Sequence, residues 1–232
     1  MITVAPCGSS ALQVMVHRDT YEQTWETTHR LARFLREQRS TGVASVVPTY
    51  DAVLVEFDVT VTDAAALMRD IDRFPSSTRS ALAPADPRVL LVPLVVGGPH
   101  GPDFESVIER LGLTAREASH QLARCEVTIR CYSSTGSPMT DSPFAGQLAR
   151  LGDPRVSVPQ GSVAVAGKQA MIFTVEAPTG WNVIGRSPIT LLDADADPIA
   201  AYQPGDRIRF LPLSEHEVGE YDGVRAADLL VT

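Results

Sequence analysis

Apolar and polar positions along the first part of the chain follow a strand period and then a helical one. Residues 11–16, ALQVMV, form a short apolar run that predicts a strand. From Tyr21 onward apolar side chains recur every three or four positions until Gly42, which predicts an amphipathic helix that ends at this glycine. Asp19 or Thr20 is expected to cap its first turn, because both side chains can accept a hydrogen bond from a backbone N–H.

Two further runs and a second helix follow. VASVV at 43–47 and AVLVEFDV at 52–59 are rich in β-branched residues, and the intervening PTYD favours chain reversal, so a hairpin is predicted. Thr62 or Asp63 is expected to start a second helix that runs to about Phe74. Strand, helix, two strands and helix are most of a split βαβ unit, and the next apolar run, RVLLVPLVV, either closes it or begins the following domain.

Beyond this run the pattern predicts helices first and then strands. Residues 103–111 and 114–123 predict two short helices, and Thr114 with Glu117 fits a capping box at the start of the second. After residue 126, short β-rich runs separated by Gly, Pro and Asp predict a compact β-barrel or sandwich. These runs are EVTIRCY, GSVAVAG, AMIFTVE, WNVIGR, ITLL and DRIRFLPL.

The predicted fold class is therefore α+β with two domains. The stretch FPSSTRSALAPADP, rich in Pro, Ser and Ala, is typical of a linker, so the boundary is placed near residue 85. Residues 1–85 are predicted as a small ferredoxin-like α/β domain, and residues 86–232 as the β-rich domain.

Composition narrows the function classes. Of 232 residues, 44% are hydrophobic, which suits packed cores and not disorder. The net charge of −8 argues against a nucleic-acid partner, because proteins that bind phosphate backbones cluster Lys and Arg on one face. No apolar run has the length of a membrane span, and the N-terminus lacks the pattern of a signal peptide, so a cytoplasmic protein without a membrane partner is expected.

Cysteine and histidine chemistry has two interpretations. Cys7, Cys125 and Cys131 form no CxxC pair, so neither a disulfide framework nor a metal site is predicted. His120 with Cys125 or Cys131 could form a base and a nucleophile, since a thiol needs a nearby imidazole to become a thiolate at neutral pH. Buried cysteines that act as small apolar residues are the favoured alternative. For His120, a capping or interface role stands beside the catalytic one.

The stretch VPQGSVAVAGKQAMI at 158–172 begins like a phosphate-binding loop. Such a loop needs four residues between its glycines and a Ser or Thr after the lysine, whereas five residues separate Gly161 from Gly167 and Gln169 follows the lysine. A nucleotide loop is therefore excluded. The carboxylates of DADADP, at 193–198, lack the glycine and glutamate of an EF-hand, so a solvated turn is predicted there.

Cationic side chains among the β-rich runs are the stronger candidates for a ligand site. Arg155, Lys168 and Arg186 lie among predicted strands that otherwise carry few charges, and cations at strand ends suit carboxylate or phosphate ligands. Three independent surface charges are the alternative. Trp181 either stacks on a ligand or fills the core.

The chain resembles the family of the 5-oxoprolinase B subunit, also known as allophanate hydrolase subunit 1 or KipI-like, on segments that keep their order and spacing. These segments are GGPHGPDFESVIERLGLTAREASHQLA, DPRVSVPQGSVAVAGKQAMIF, PTGWNVIGRSPITLLD and QPGDRIRFLPL. The likeness extends upstream to RLARFLREQRSTGVASVVPTYDAVLVEFD and so covers nearly the whole chain.

This resemblance implies a cyclophilin-like β-barrel and a partner of the carboxyltransferase A/B type, a KipA-like chain. Whether the complex has a third subunit is left open by the resemblance. The family opens 5-oxoproline with ATP, or transfers carboxyl groups or hydrolyses amides on urea-like molecules, and one member inhibits a sporulation histidine kinase. A subunit of a heteromeric amide hydrolase with a small-molecule substrate is therefore expected. A non-catalytic regulatory module is the alternative. No cofactor is expected on this chain, and ATP is expected to bind elsewhere in the complex.

The resemblance also implies a site. Gly161 to Gln169 becomes a barrel strand with flanking turns that lines a cleft. Charged and amide side chains of this cleft would stabilise a developing oxyanion, and His120 would serve as general acid or base. The substrate-binding residues implied are Arg155, Ser162, Lys168, Gln169, Trp181 and Arg186.

One segment departs from the family. Residues 131–139 read CYSSTGSPM where the family carries GFxPGFxYL, and Tyr132 alone keeps an aromatic ring near the first Phe. Ser and Thr add Cβ atoms and hydroxyl groups that a glycine-rich loop lacks, so this departure bears on substrate identity and on catalysis. In the regulatory alternative, residues 131–144 form the contact surface for a partner.

Overall fold

The computed structural model describes residues 1–75 and 88–231, which form two compact units. The predicted domain boundary and most of the predicted linker lie outside the described residues, so the boundary stays a prediction. Across the described ranges, no helix combines the length and the apolar character needed to cross a membrane.

The first unit is a four-stranded antiparallel sheet with two helices. Its elements are β1 (Ile2–Pro6), β2 (Ala11–Val16), α1 (Tyr21–Gln38), β3 (Val43–Pro48), β4 (Ala52–Phe57) and α2 (Ala64–Asp72). The strand order is β1-β2-β4-β3. Alternate residues of β2, namely Leu12, Val14 and Val16, are fully buried among apolar side chains of both helices, as the period of two requires.

Each helix of this unit begins at one of the two residues predicted for its start. Thr20 Oγ1 accepts a hydrogen bond from Gln23 N at 3.2 Å, and Asp63 Oδ1 accepts one from Ala66 N at 2.8 Å. The predicted end of α1 at Gly42 is wrong. The helix ends earlier, because Arg39 takes a left-handed backbone conformation with φ 46°.

The strand β1 is absent from the hydrophobic pattern. It is an edge strand that half-buries only Ile2 and Val4, so its alternation is weak. It pairs with the outer edge of β2, with Ile2 opposite Val16. The place beside β2 is thus taken, and RVLLVPLVV belongs to the second unit, which is the second of the two alternatives left open by the sequence.

The second unit is a closed seven-stranded barrel with two helices and a short ribbon. Its elements are β5 (Val89–Val96), α3 (Phe104–Leu111), α4 (Ala115–Arg124), β6 (Glu126–Tyr132), β7 (Pro138–Asp141), β8 (Arg155–Val158), β9 (Ser162–Ala166), β10 (Gln169–Ile172), β11 (Ala177–Thr179), β12 (Asn182–Arg186), β13 (Arg207–Leu213) and β14 (Leu230–Val231), with 3₁₀ helices at Gly98–His100, Glu215–Tyr221 and Ala226–Leu229. The barrel order is β12-β9-β10-β7-β6-β13-β5, and β5 pairs back to β12. The predicted α+β class with a small sheet domain and a barrel is confirmed.

The strand β9 is buried on both faces, and this explains its small apolar residues. Val163 and Val165 belong to the main core, which the barrel strands share with α3 and α4. Ala164 and Ala166 face a second cluster that contains Val158 of β8, where the β8–β11 ribbon packs. A strand covered on both sides reads as a continuous apolar run, as GSVAVAG does.

Two local predictions have opposite outcomes. The capping box of α4 is confirmed, since Glu117 N donates to Thr114 Oγ1 at 3.2 Å and Thr114 N donates to Glu117 Oε2 at 2.8 Å. The predicted strand at ITLL is wrong. Thr190 and Leu192 make only isolated bridges, to Arg225 and Ala200, because the neighbouring edges of the barrel are already paired.

Candidate functional site

A cavity of about 330 Å³ lies at the end of the barrel where β9 begins and β12 ends. The 3₁₀ helix after β5 forms one side of it, and β8 with the following loop forms another. The side chains that line it and carry polar groups are His100, Arg155, Ser157, Ser162 and Arg186. Three predicted substrate-binding residues, Arg155, Ser162 and Arg186, are therefore brought together by the fold.

The turn before β9 is built around a close backbone approach. Gly161 has φ +82°, and a Cβ atom there would stand 2.1 Å from the carbonyl oxygen of Ser187. Ser187 N donates to Gly161 O at 2.8 Å, and Gly161 N donates to Phe173 O at 2.7 Å. Glycine is thus required at 161, because only it combines positive φ with this approach. The turn places Ser162 at the cavity, where its Oγ donates to Pro159 O at 2.7 Å.

Arg155 is neutralised by a carboxylate. Its two Nη atoms donate to the two carboxylate oxygens of Asp103, each at 2.9 Å. Asp103 Oδ2 also accepts from Val183 N at 2.7 Å, and the residue is 8% exposed. This two-pronged pair ties the β8–β11 ribbon to the start of α3 and to β12, so the main role of Arg155 at the cavity is to hold the wall in place.

Of the two arginines that line the cavity, Arg186 is the one with unused donors. Its Nε donates to Gln160 O at 2.9 Å, which orients the guanidinium. Within residues 1–75 and 88–231, its two Nη atoms have no hydrogen-bond partner or ion pair. An arginine held by one nitrogen can present the other two to a carboxylate or carbonyl oxygen.

His100 lines the cavity but was not among the site residues predicted from the sequence. Its side chain is 30% exposed, and its Nε2 lies 3.9 Å from Glu215 Oε1. The loop that carries it is tight, since a Cβ atom on Gly101 would stand 2.1 Å from the carbonyl oxygen of Ile184. The signal available was the histidine itself, set among Gly and Pro in GGPHGP directly after an apolar strand.

A second, smaller cavity of about 220 Å³ shares two of these side chains. His100 and Arg186 line it together with Val95, Pro188, Val218 and Asp222. Val218 and Asp222 come from the C-terminal segment, whose 3₁₀ helix Glu215–Tyr221 follows β13. Arg186 and His100 therefore stand between the two cavities.

Lys168 and Gln169 lie at the other end of the β9–β10 hairpin. Gln169 pairs with Ala166 and Asp141, and Lys168 is exposed in the turn. Ser162 to Ala166 spans roughly 13 Å along the strand, so neither residue joins Ser162 at the cavity. Their assignment to a substrate site stays a prediction that the cavity does not support.

Trp181 and His120 also lie outside the lining of both cavities. Trp181 is 8% exposed within the cluster between barrel and ribbon, in keeping with the core-filling interpretation. His120 is exposed on α4, and its Nε2 lies 3.3 Å from Arg124 Nη1. An i, i+4 contact on a helix surface fits the capping or interface role.

The segment that departs from the family forms a tight hairpin between β6 and β7. Ser133 N donates to Ser137 O at 2.9 Å, and Gly136 N donates to Ser133 O at 3.0 Å. The hydroxyl group of Ser137 is satisfied within the protein: its Oγ lies 3.0 Å from Thr174 Oγ1 and accepts from Thr174 N at 3.1 Å. Ser137, one of the added residues, thus forms a buried contact with Thr174 that fixes the hairpin.

The two cysteines of the barrel unit lack the character of nucleophiles. Burial raises the pKa of Cys131 to about 12, and burial also raises the pKa of Cys125. Both groups stay protonated near neutral pH, which agrees with buried cysteines acting as small apolar residues.

Fold and cavity together define a class: a two-unit protein whose barrel carries a small polar site with a free arginine. The chain belongs to the family described as carboxyltransferase domain, subdomain C and D, whose family model matches residues 2–202. The predicted family resemblance is thereby confirmed.

Individual proteins are also similar to this chain. The chain is 25% identical over 230 residues to the 5-oxoprolinase B subunit of Bacillus subtilis (strain 168), with 92% of this chain and 94% of that protein covered. The crystal structure of TTHA0988 matches with a TM-score of 0.74 and 25% identity, over 88% of this chain and 40% of TTHA0988. The urea amidolyase of K. lactis matches with a TM-score of 0.78 at 15% identity, over 100% of this chain and 16% of the enzyme, and shows the fold alone. The chain thus spans less than half the length of either solved structure.

Proposed function

We propose that this chain belongs to a heteromeric enzyme in which it binds and helps to open 5-oxoproline or a similar small amide. Membership of the carboxyltransferase family and the likeness to a 5-oxoprolinase B subunit over nearly the whole chain support this proposal. The observation that carries it is the guanidinium of Arg186, which lines a cavity of about 330 Å³ with two free nitrogen atoms.

The proposed role of Arg186 is to bind the carboxylate of the substrate. Arg155 is paired with Asp103, so it contributes shape and a fixed wall more than free positive charge. His100 and Ser162 line the same cavity and offer hydrogen bonds to the amide of a small lactam. Polar groups held in place before the reaction stabilise charge that develops on a carbonyl oxygen as the amide opens.

A partner is part of the proposal. The Bacillus subtilis relative is named as one subunit of its enzyme, which indicates an assembly of several chains. A carboxyltransferase A/B-type subunit would complete the cavity, and ATP would bind outside this chain. Enzymatic opening adds one water across the amide C–N bond, leaving a carboxylate on the carbonyl carbon and an ammonium group on the nitrogen.

The test is activity of the reconstituted complex. The chain is co-expressed with an A/B-type partner, and ATP-dependent opening of 5-oxoproline is measured for wild type, Arg186→Gln and Lys168→Gln. Arg186→Gln is expected to lower kcat/KM at least tenfold, whereas Lys168→Gln, which removes the same charge at the other hairpin end, leaves it unchanged. Absence of turnover with every partner, combined with tight binding to a kinase, would replace the proposal with the regulatory alternative.

A further inference from the structure

Two opposite charges line the smaller cavity without contacting each other. Arg186 and Asp222 both face this space of about 220 Å³, and no ion pair joins them. In the described part of the chain, the carboxylate of Asp222 accepts no hydrogen bond, and the Nη atoms of Arg186 donate none. A cation and an anion that remain apart in one cavity leave room for a ligand that carries both signs of charge.

Hydrogen bonds lie on both sides of Asp222 in the chain. Before it, Ser214 and Glu217 form a capping box at the start of the 3₁₀ helix, with Ser214 N donating to Glu217 Oε2 at 2.8 Å. After it, Thr190 N donates to Val224 O at 3.0 Å, and the buried Ala226 donates its N–H to Thr190 O at 2.9 Å. The chain after Asp222 is thus attached to the loop that follows β12, and Asp222 lines the cavity.

The remaining walls restrict the ligand further. Val95, Pro188 and Val218 are apolar, so they favour a short hydrocarbon part between the charged groups. The volume lies below the 300–1,000 Å³ or so of sites for drug-sized ligands, which indicates a small molecule. A ligand that placed a carboxylate directly against Asp222 would be repelled, since like charges at short range disfavour binding.

We propose that the smaller cavity binds a small amino acid, with a carboxylate on Arg186 and the ammonium group on Asp222. The inference rests on the proposed function, because both place a ligand carboxylate on Arg186. Opening a lactam turns its amide nitrogen into an ammonium group, so the small cavity takes the opened product and the large cavity takes the cyclic substrate. Asp222 is then the residue that distinguishes the opened product, which has an ammonium group, from the cyclic substrate, which has none.

The residues of this subsite come from two parts of the chain. His100 and Arg186 lie within residues 2–202, which the family model matches, whereas Val218 and Asp222 lie beyond them. The acidic wall is therefore supplied by the C-terminal segment, and selectivity for the ammonium group is a property of that segment.

The experiment measures binding to the full chain by calorimetry with three probes: L-glutamate, glutarate and 5-oxoproline. L-Glutamate is expected to bind at least tenfold more tightly than glutarate, which lacks the ammonium group. Asp222→Asn is expected to remove this difference and to leave 5-oxoproline affinity unchanged. Glu220→Gln is the matched control, since it removes one exposed negative charge from the same segment without facing the cavity.

Three outcomes overturn the inference: no binding of L-glutamate, equal affinity for glutarate, or an affinity for L-glutamate that Asp222→Asn leaves unchanged. Failure of the proposed function has a different signature. In that case the reconstituted complex does not open 5-oxoproline, while L-glutamate binds the chain in a manner that depends on both Asp222 and Arg186, and the amino-acid site stands alone. Circular dichroism of each variant confirms that the fold is intact.

Discussion

The two ends of the β9–β10 hairpin look alike in sequence and differ in the structure. Each end has a glycine with positive φ, +82° at Gly161 and +59° at Gly167. At Gly161 the carbonyl oxygen of Ser187 occupies the place where a Cβ atom would stand, whereas nothing lies within 4 Å of that place at Gly167. One glycine serves the packing of three chain segments, and the other serves only a turn.

The same contrast holds for the charges at these ends. Arg186 stands beside the Gly161 turn, where its Nε donates to Gln160 O, and it lines both cavities. Lys168 stands in the Gly167 turn, exposed, and its carbonyl oxygen accepts from Ser142 N at 2.8 Å. A cation becomes part of a site through the chain segments that surround it, and its neighbours in sequence do not reveal them.

The largest expected loss of stability is at Gly161, and Gly167 serves as the comparison. Gly161→Ala is expected to destabilise the protein by about 3 kcal/mol or more, since strain at positive φ adds to a clash with a backbone oxygen. Gly167→Ala is expected to cost about 1 kcal/mol, for the positive φ alone. Urea unfolding of both variants measures the difference. Equal losses would mean that the close approach at Gly161 has no energetic weight.

A smaller effect is expected at the ion pair of the cavity wall. Asp103→Ala leaves Arg155 and the N–H of Val183 without their acceptor, and about 2 kcal/mol of stability should be lost. Glu109→Ala is the control, because Glu109 is exposed on α3, the helix that follows Asp103. Its stability should stay within about 0.5 kcal/mol of wild type. Stability of Asp103→Ala at the level of the control would show that the ribbon does not depend on this pair.

Variants of His100 and His120 test which histidine acts in the reaction: the one that lines the cavity or the one predicted from the sequence. His100→Asn is expected to lower the kcat/KM for 5-oxoproline about tenfold in the reconstituted complex, because His100 lines both cavities. His120→Asn is expected to leave it unchanged, because His120 is exposed beside Arg124. The opposite result, loss with His120→Asn alone, would restore the general acid or base predicted from the resemblance.

The smallest effect is a pH dependence from Cys131. Burial raises the pKa of this thiol to about 12, above its value in the unfolded chain. Its contribution to stability is therefore complete below the unfolded pKa, near 9, and is lost as the pH rises toward 12. On the order of 1 kcal/mol should be lost by pH 10. Cys131→Ala should flatten the fall of stability with pH in this range. An unchanged slope would show that the fall does not come from the Cys131 thiol.

Sequence reasoning was most reliable where the cause of a structure is local. Thr114 caps its helix as predicted, and Thr20 and Asp63, each one of two predicted candidates, cap theirs, because a cap depends on residues three positions away. It failed for short strands with little burial on one face, such as β1, and for ITLL, whose apolar residues are buried without a strand partner. Strand formation depends on a partner that the local pattern does not contain.

The sequence by itself determined the periods of most helices and strands, the caps, the α+β class and the family, because these depend on neighbouring residues or on the order of motifs. Only the tertiary structure decided which arginine is free to bind a ligand. Asp103 and Arg155, which form an ion pair, are 52 positions apart in the sequence. Asp222 and Arg186 line the same cavity. Charge neutralisation acts over a few ångströms in space, and a linear pattern carries no information about which distant residues come that close.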